Sequence, residues 1–162
     1  MAKYNKKTIY FDYASATPID KKVGNLVSSY ETKFFGNPSS IHSGGVEARK
    51  IIEDARTNIA RLIYAHPDEI IFTASGTESD ALAILGTVHL YKNKKVPHIV
   101  TTSIEHPAVL EVCKILQKNK EAEVTYITPD GWGIINPKDI RDALKENTIL
   151  VSVMYANNEI GT

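Results

Sequence analysis

His98-Ile99-Val100-Thr101-Thr102-Ser103-Ile104 runs directly into Glu105-His106-Pro107, and the reading of this stretch decides the fold. Its apolar and β-branched residues are nearly continuous rather than alternating, which is the pattern of a strand covered on both faces. Pro107 stands where proline fits a helix, at its first position, and the predicted helix runs over about 107–119. A buried strand feeding a helix is half of a parallel βαβ unit.

The same arrangement recurs on either side. Downstream, Ile149-Leu150-Val151-Ser152-Val153-Met154-Tyr155-Ala156 reads as a strand ending on Asn157-Asn158-Glu159. Upstream, Glu69-Ile70-Ile71-Phe72-Thr73 reads as a strand ending on Ala74-Ser75-Gly76-Thr77-Glu78-Ser79. Further helices are expected over about 80–93 and 137–146, so that strands and helices alternate from Glu69 onward. The expected fold is α/β, with a parallel or mixed sheet flanked by helices and right-handed crossovers. In such sheets ligands bind beyond the carboxyl ends of the strands, so the three polar clusters describe one site.

Residues 1–45 read as an N-terminal arm with loops, and 46–162 as the sheet-bearing part. Loop chemistry is dense in Asp12-Tyr13-Ala14-Ser15-Ala16-Thr17-Pro18 and in Gly36-Asn37-Pro38-Ser39-Ser40-Ile41-His42-Ser43-Gly44-Gly45. Between them Val23, Leu26, Val27 and Tyr30 recur at helical spacing. An amphipathic helix follows over 46–63, with Ala48, Ile52, Ala55, Ile59 and Leu62 on one face.

Composition narrows the function classes. Hydrophobic residues make up 43% and charged residues 23% of the 162, the balance of a globular protein. Formal net charge is zero, so no basic field favours nucleic acid or an anionic membrane. No apolar run is long enough to span a bilayer, and a cytoplasmic location is the expectation. The single cysteine, Cys113, excludes an intramolecular disulfide and a cysteine-based metal cluster, and no metal site is expected.

Each polar cluster carries a candidate. Ser75-Gly76-Thr77-Glu78 fits a capping box, with Ser75 as cap and Glu78 reaching back. Gly76 is a poor helix former for a first turn, and glycine there lets a ligand approach the backbone. The free amides of Gly76 and Thr77, the helix dipole and the Thr77 hydroxyl form a cradle for a phosphate monoester. Neither a Walker loop nor a Gly-x-Gly-x-x-Gly fingerprint is present. His106 stands between strand and helix at the same sheet edge, where its ring can stack on an aromatic cofactor and exchange protons. His66, His89 and His98 read instead as surface or satisfied core residues. Asn157 follows a buried strand, either as a turn former or as an amide donor to a ring substituent, and Glu159 bonds its own loop.

Phosphate cradle, stacking histidine and amide on one sheet resemble the pyridoxal-phosphate enzymes of fold type I. The chain is most similar to the cysteine desulfurase branch of the class V aminotransferase superfamily. The resemblance is carried by Tyr10–Pro18, Gly36–His42, Phe72–Asp80, Glu105–Val109 and Asn157–Thr162, in family order across almost the whole chain. Gly36-Asn37-Pro38-Ser39-Ser40-Ile41-His42 and Asn157-Asn158-Glu159-Ile160-Gly161 are its most specific runs. Ala74-Ser75-Gly76 departs slightly, since the family more often has Ser-Gly-Ala before the threonine.

The resemblance implies that Gly76 and Thr77 hold the phosphate of pyridoxal 5'-phosphate and that His106 stacks on its ring as a catalytic residue. Asn157 is implied to bond the phenolic oxygen. The implied reaction converts L-cysteine to L-alanine, leaving sulfur as a persulfide on an enzyme cysteine. That sulfur passes to an acceptor or scaffold protein for iron–sulfur cluster assembly or tRNA thiolation. A homodimer is implied, with the 36–42 loop near the partner's site.

The family's cofactor-anchoring lysine lies in a Ser-x-His-Lys setting, and no lysine here has that context. Cys113 sits in the apolar helix run Val109-Leu110-Glu111-Val112-Cys113 and reads as a small core residue rather than a nucleophile. The expectation is therefore an N-terminal part of the large domain, cut before the lysine and the persulfide cysteine, inactive and poorly soluble alone. The competing expectations are a non-catalytic binding or assembly domain that keeps the fold, and a class V transaminase or selenocysteine lyase.

Overall fold

The computed structural model describes residues 9–91 and 95–162. The chain forms two compact units, Met1–Phe72 and Thr73–Thr162.

In the first unit, helix α1 spans Lys21–Lys33 and helix α2 spans Ser43–Leu62. Asp20 caps α1, accepting the Lys22 amide at 2.8 Å and the Val23 amide at 3.3 Å. The stripe of Val23, Leu26, Val27 and Tyr30 forms as expected but stays exposed. On α2 the expected face is only partly covered: Ala48 is buried, whereas Ile59 and Leu62 are exposed. The loop before α2 is tied down by Arg49, whose Nε donates to the Pro38 carbonyl at 2.7 Å.

The strand expected at 69–73 does not form. Pro67–Glu69 is a single 3₁₀ turn, closed by the Glu69 carboxylate on the His66 amide at 2.6 Å. The backbone at Ile70 is extended, with φ −92° and ψ 121°, but the segment has no ladder partner among the described residues. Arg56 holds it to α2 instead, donating to the Ile70 carbonyl and lying 4.9 Å from the Phe72 ring centroid. A β-branched sequence permits a strand, but only a neighbouring strand makes one.

The second unit is a parallel sheet with helices. Helix α3 spans Gly76–Tyr91, strand β1 His98–Thr102, helix α4 Pro107–Lys118 and strand β2 Glu123–Ile127. Helix α5 spans Pro137–Ala143 and strand β3 Thr148–Ser152. The order is β2-β1-β3, and β1 pairs in parallel with both neighbours. As the central strand, β1 is buried along its whole length. The core joins Ile84 and Val88 of α3, Ile99 of β1, and Val109, Cys113 and Leu116 of α4.

His98 is a satisfied core histidine, fully buried between the outer strands. Its Nδ1 lies 2.8 Å from Thr148 Oγ1 and its Nε2 lies 2.8 Å from Thr125 Oγ1. Next to it the register of β3 against β1 shifts, between His98 and Ile99. The other two strands are shorter than their apolar runs suggest: β1 stops at Thr102 and β3 at Ser152. Beyond Ser152 the Met154 amide turns to the Glu105 carboxylate, at 2.8 Å, so β3 leaves the ladder there. No helix among the described residues is long and apolar enough to cross a membrane.

Candidate functional site

The carboxyl ends of β1 and β3 lead into the residues singled out in the sequence. Parallel neighbours place the segment after Thr102 beside the segment after Ser152. Asn157 closes the gap, its Nδ2 donating to the Ile104 carbonyl at 3.0 Å. The segments that carry His106 and Asn157 are therefore in direct contact.

Helix α3 starts at this edge. Its other end, at Tyr91, lies with Pro97, Asn147 and Thr148 around a hollow at the amino edge of the sheet. The helix packs along α4 and against β3, which carries Gly76 and Thr77 toward the carboxyl edge. The capping arrangement there differs by one residue from expectation. Ser75 Oγ accepts the Glu78 amide at 3.2 Å, but the Glu78 carboxylate takes the Ala74 amide, at 2.6 Å, instead of the Ser75 amide. Thr73 and Ser79 brace the turn, with their hydroxyl oxygens 2.6 Å apart.

The amides of Ala74, Glu78 and Ser79 are thus committed. Those of Gly76 and Thr77, and the Thr77 hydroxyl, have no partner among the described residues. A Cβ added at Gly76 would meet nothing within 4 Å. Packing therefore does not select glycine here, and the backbone is open to close approach. Unpaired amides at the positive end of a 16-residue helix suit a phosphate dianion. By this measure the residues present fit the phosphate of pyridoxal phosphate.

His106 caps α4, with its Nδ1 accepting the Ala108 amide at 3.1 Å. Pro107, at the first helical position, has no amide to leave unpaired. The bond fixes the ring about its Nδ1 and leaves Nε2 of this exposed imidazole without a partner among the described residues.

Asn157 is buried, and it orders its loop. Its Oδ1 accepts the Glu159 amide at 2.9 Å and the Ile160 amide at 3.1 Å. One Nδ2 hydrogen is committed to Ile104, and Nδ2 also lies 3.4 Å from the Met154 sulfur, a weak acceptor. The turn-former and amide-donor readings are therefore compatible on one side chain. Among the described residues the Asn158 side chain bonds the Glu159 carboxylate alone, at 2.9 Å.

A hollow of 220 Å³ opens at this edge, lined in part by Thr102, Ile104, Met154 and Asn157. The amino-edge hollow is larger, at 430 Å³, but its polar groups are engaged. There Asn147 Nδ2 donates to the Val96 carbonyl at 2.8 Å, and Lys95 lies 3.8 Å from Glu146. The unpaired amides of Gly76 and Thr77, rather than volume, make the carboxyl edge the candidate site, although neither they nor His106 line its hollow.

Two residues complete the description. Cys113 is fully buried, and burial, with a smaller contribution from the Glu105 charge, pushes its thiol up to about 11. That is the state of an inert core thiol. Glu105 carried no assigned role in the sequence, yet its Oε1 accepts both the Thr102 hydroxyl at 2.7 Å and the Met154 amide. The one sequence signal was a carboxylate set between a buried strand and a proline-started helix.

Comparison with known proteins bears on the family and the fold. The family profile described as aminotransferase class-V matches residues 9–162. A cysteine desulfurase IscS of Dictyoglomus turgidum is 48% identical over 157 residues, covering 97% of this chain and 39% of the relative. One from Stutzerimonas stutzeri is 48% identical over 160 residues, again 97% and 39%. Among solved structures, a NifS-like protein superimposes with a TM-score of 0.87 at 39% identity, over 95% of this chain and 42% of that one. A structure titled SspA in complex with cysteine gives 0.86 at 38% identity, over 94% and 43%. The chain thus spans about two fifths of the length of the relatives it matches.

Proposed function

The chain belongs to the aminotransferase class-V family, and we propose that it is the N-terminal part of the large domain of a pyridoxal-phosphate-dependent cysteine desulfurase. The observation that carries this reading is the pair of unpartnered amides, Gly76 and Thr77, at the start of α3. They stand at the sheet edge to which β1 and β3 deliver His106 and Asn157.

In this reading residues 1–45 are an arm and 46–162 belong to the cofactor-binding domain. Gly76 and Thr77 hold the phosphate through their amides and the Thr77 hydroxyl, aided by the α3 dipole. His106 stacks on the pyridine ring. Because its Nδ1 accepts the Ala108 amide, the neutral ring carries its hydrogen on Nε2, the nitrogen left to donate to the bound ligand. Asn157 directs the Nδ2 hydrogen nearest the Met154 sulfur to the phenolic oxygen, a stronger acceptor. When bound, the cofactor supplies an electron sink for the pair released at the substrate's α-carbon.

The substrate is L-cysteine, and the products are L-alanine and a persulfide sulfur. The anchoring lysine and persulfide cysteine come from outside these 162 residues, since no lysine here has the Ser-x-His-Lys setting. The whole protein works as a cytoplasmic homodimer that hands sulfur to an acceptor or scaffold for iron–sulfur clusters or thiolated tRNA. The test is to read the gene beyond the codon for Thr162 and assay its product for alanine release from L-cysteine. A continuing frame with Ser-x-His-Lys and measurable release supports the reading. A stop at that point with no release overturns it, as does release by the 162-residue chain alone.

A further inference from the structure

We propose that Glu105 is a positioning residue that fixes the His106 and Asn157 segments as one unit. Its side chain is buried, at 6% exposure. A single oxygen, Oε1, accepts the Thr102 hydroxyl at 2.7 Å and the Met154 amide at 2.8 Å. Thr102 closes β1, whereas Met154 lies just past β3, so one atom bridges the two strand ends. The bond from Asn157 Nδ2 to the Ile104 carbonyl spans the same gap at a second point.

The choice of a carboxylate is not explained by stability. No lysine, arginine or histidine pairs with Glu105 among the described residues. A buried carboxylate without a cation is costly, and a well-packed apolar residue is the more stable alternative. Two features offset that cost. The hydrogen bonds are short, and the carboxylate directly precedes the cap of α4, near the positive end of the helix dipole.

The consequence is geometric. His106 follows Glu105 immediately and is locked to α4 through its Nδ1, so its ring goes where the backbone at 105–106 goes. Past the end of β3 the Met154 amide is received by Glu105, and Asn157 is three residues further on. Without the Glu105 oxygen, the remaining hydrogen bond between the two segments among the described residues would be that of Asn157 to the Ile104 carbonyl.

The positioning itself stands on the chain without cofactor; its bearing on cofactor binding rests on the function proposed above. The test compares wild type, Glu105→Gln and Glu105→Asp by amide hydrogen exchange, side-chain amide NMR and titration with pyridoxal phosphate. Glutamine keeps an acceptor oxygen at the same reach, so Met154 protection and the Asn157 side-chain resonances stay as in wild type. Aspartate is one methylene shorter, so Met154 protection falls about tenfold and the Asn157 resonances shift, while Val100 and Val151 in the ladder are unchanged. The dissociation constant for pyridoxal phosphate rises about tenfold in the aspartate variant and stays within about threefold in the glutamine variant. Unchanged Met154 protection in Glu105→Asp overturns the proposal. So does an equal loss across the whole ladder in both variants, which would make Glu105 a general stability residue. If wild type takes no pyridoxal phosphate, the functional reading fails, and the exchange pattern still decides the positioning.

Discussion

Protonation of His98 should weaken the sheet, because the ring is fully buried between the outer strands. Its Nδ1 and Nε2 each lie 2.8 Å from a threonine hydroxyl, Thr148 Oγ1 and Thr125 Oγ1, and the Lys145 amide also donates to Thr148 Oγ1, at 2.7 Å. Neutral threonine partners give a charged ring no compensating charge in place of the water it has lost. Burial lowers the His98 pKa from its ordinary value; Lys145 adds to the lowering and Glu123 opposes it. The side chains of those two charges are about half exposed and screened, so burial decides the sign.

Because the folded value is depressed, the unfolded chain takes up the proton first. The stability due to neutral His98 is therefore full above the unfolded value, about 6.5, and is lost as pH falls below it toward the folded value. One proton of difference is worth at most about 1.4 kcal/mol between pH 7.5 and 5.5. Urea denaturation of wild type and His98→Gln at those two pH values isolates it, since glutamine does not titrate and other groups cancel. Wild type should lose more stability than the variant, by up to about 1.4 kcal/mol. Equal losses would refute the lowered pKa of the buried ring.

Thr101 Oγ1 is buried without a hydrogen-bond partner, so Thr101→Val should raise stability by about 1 kcal/mol in a denaturation curve; a loss would contradict this. Cys113, fully buried with its thiol pushed up to about 11, should resist a thiol-reactive dye at pH 8 until urea unfolds the chain; rapid labelling of the folded chain would contradict its place in the core. Gly133 has φ +79°, and an added Cβ would run into the Ile160 side chain. Gly133→Ala should therefore cost about 1–2 kcal/mol and loosen the Asn157 amide, which donates to the Thr162 carbonyl at 2.7 Å; unchanged exchange at Asn157 would contradict this.

What the sequence could disclose divides along physical lines. β1 was legible because a strand buried on both faces needs no particular partner to explain its continuous apolar run. The segment at 70–73 has equal β-propensity, but a strand is a pairing, and its absence is invisible to local composition. Periodicity gave α1 and α2 their helical form, but it says nothing about what covers Val23, Leu26 or Ile59. At the site, Gly76 and Thr77 stood out because a capping pattern had an unsuitable glycine inside it. Glu105 did not, because its two partners lie 3 and 49 residues away and meet only in the folded sheet.

The most direct test of the site is to follow backbone amide resonances of the whole chain while pyridoxal phosphate, and separately pyridoxal, is added. The account predicts that the phosphate ester moves Gly76 and Thr77 most, with His106 and the Asn157 side chain following, and that pyridoxal leaves Gly76 and Thr77 in place. Equal responses to the two compounds, or shifts centred on Asn147–Ile149 at the opposite edge of the sheet, would contradict it.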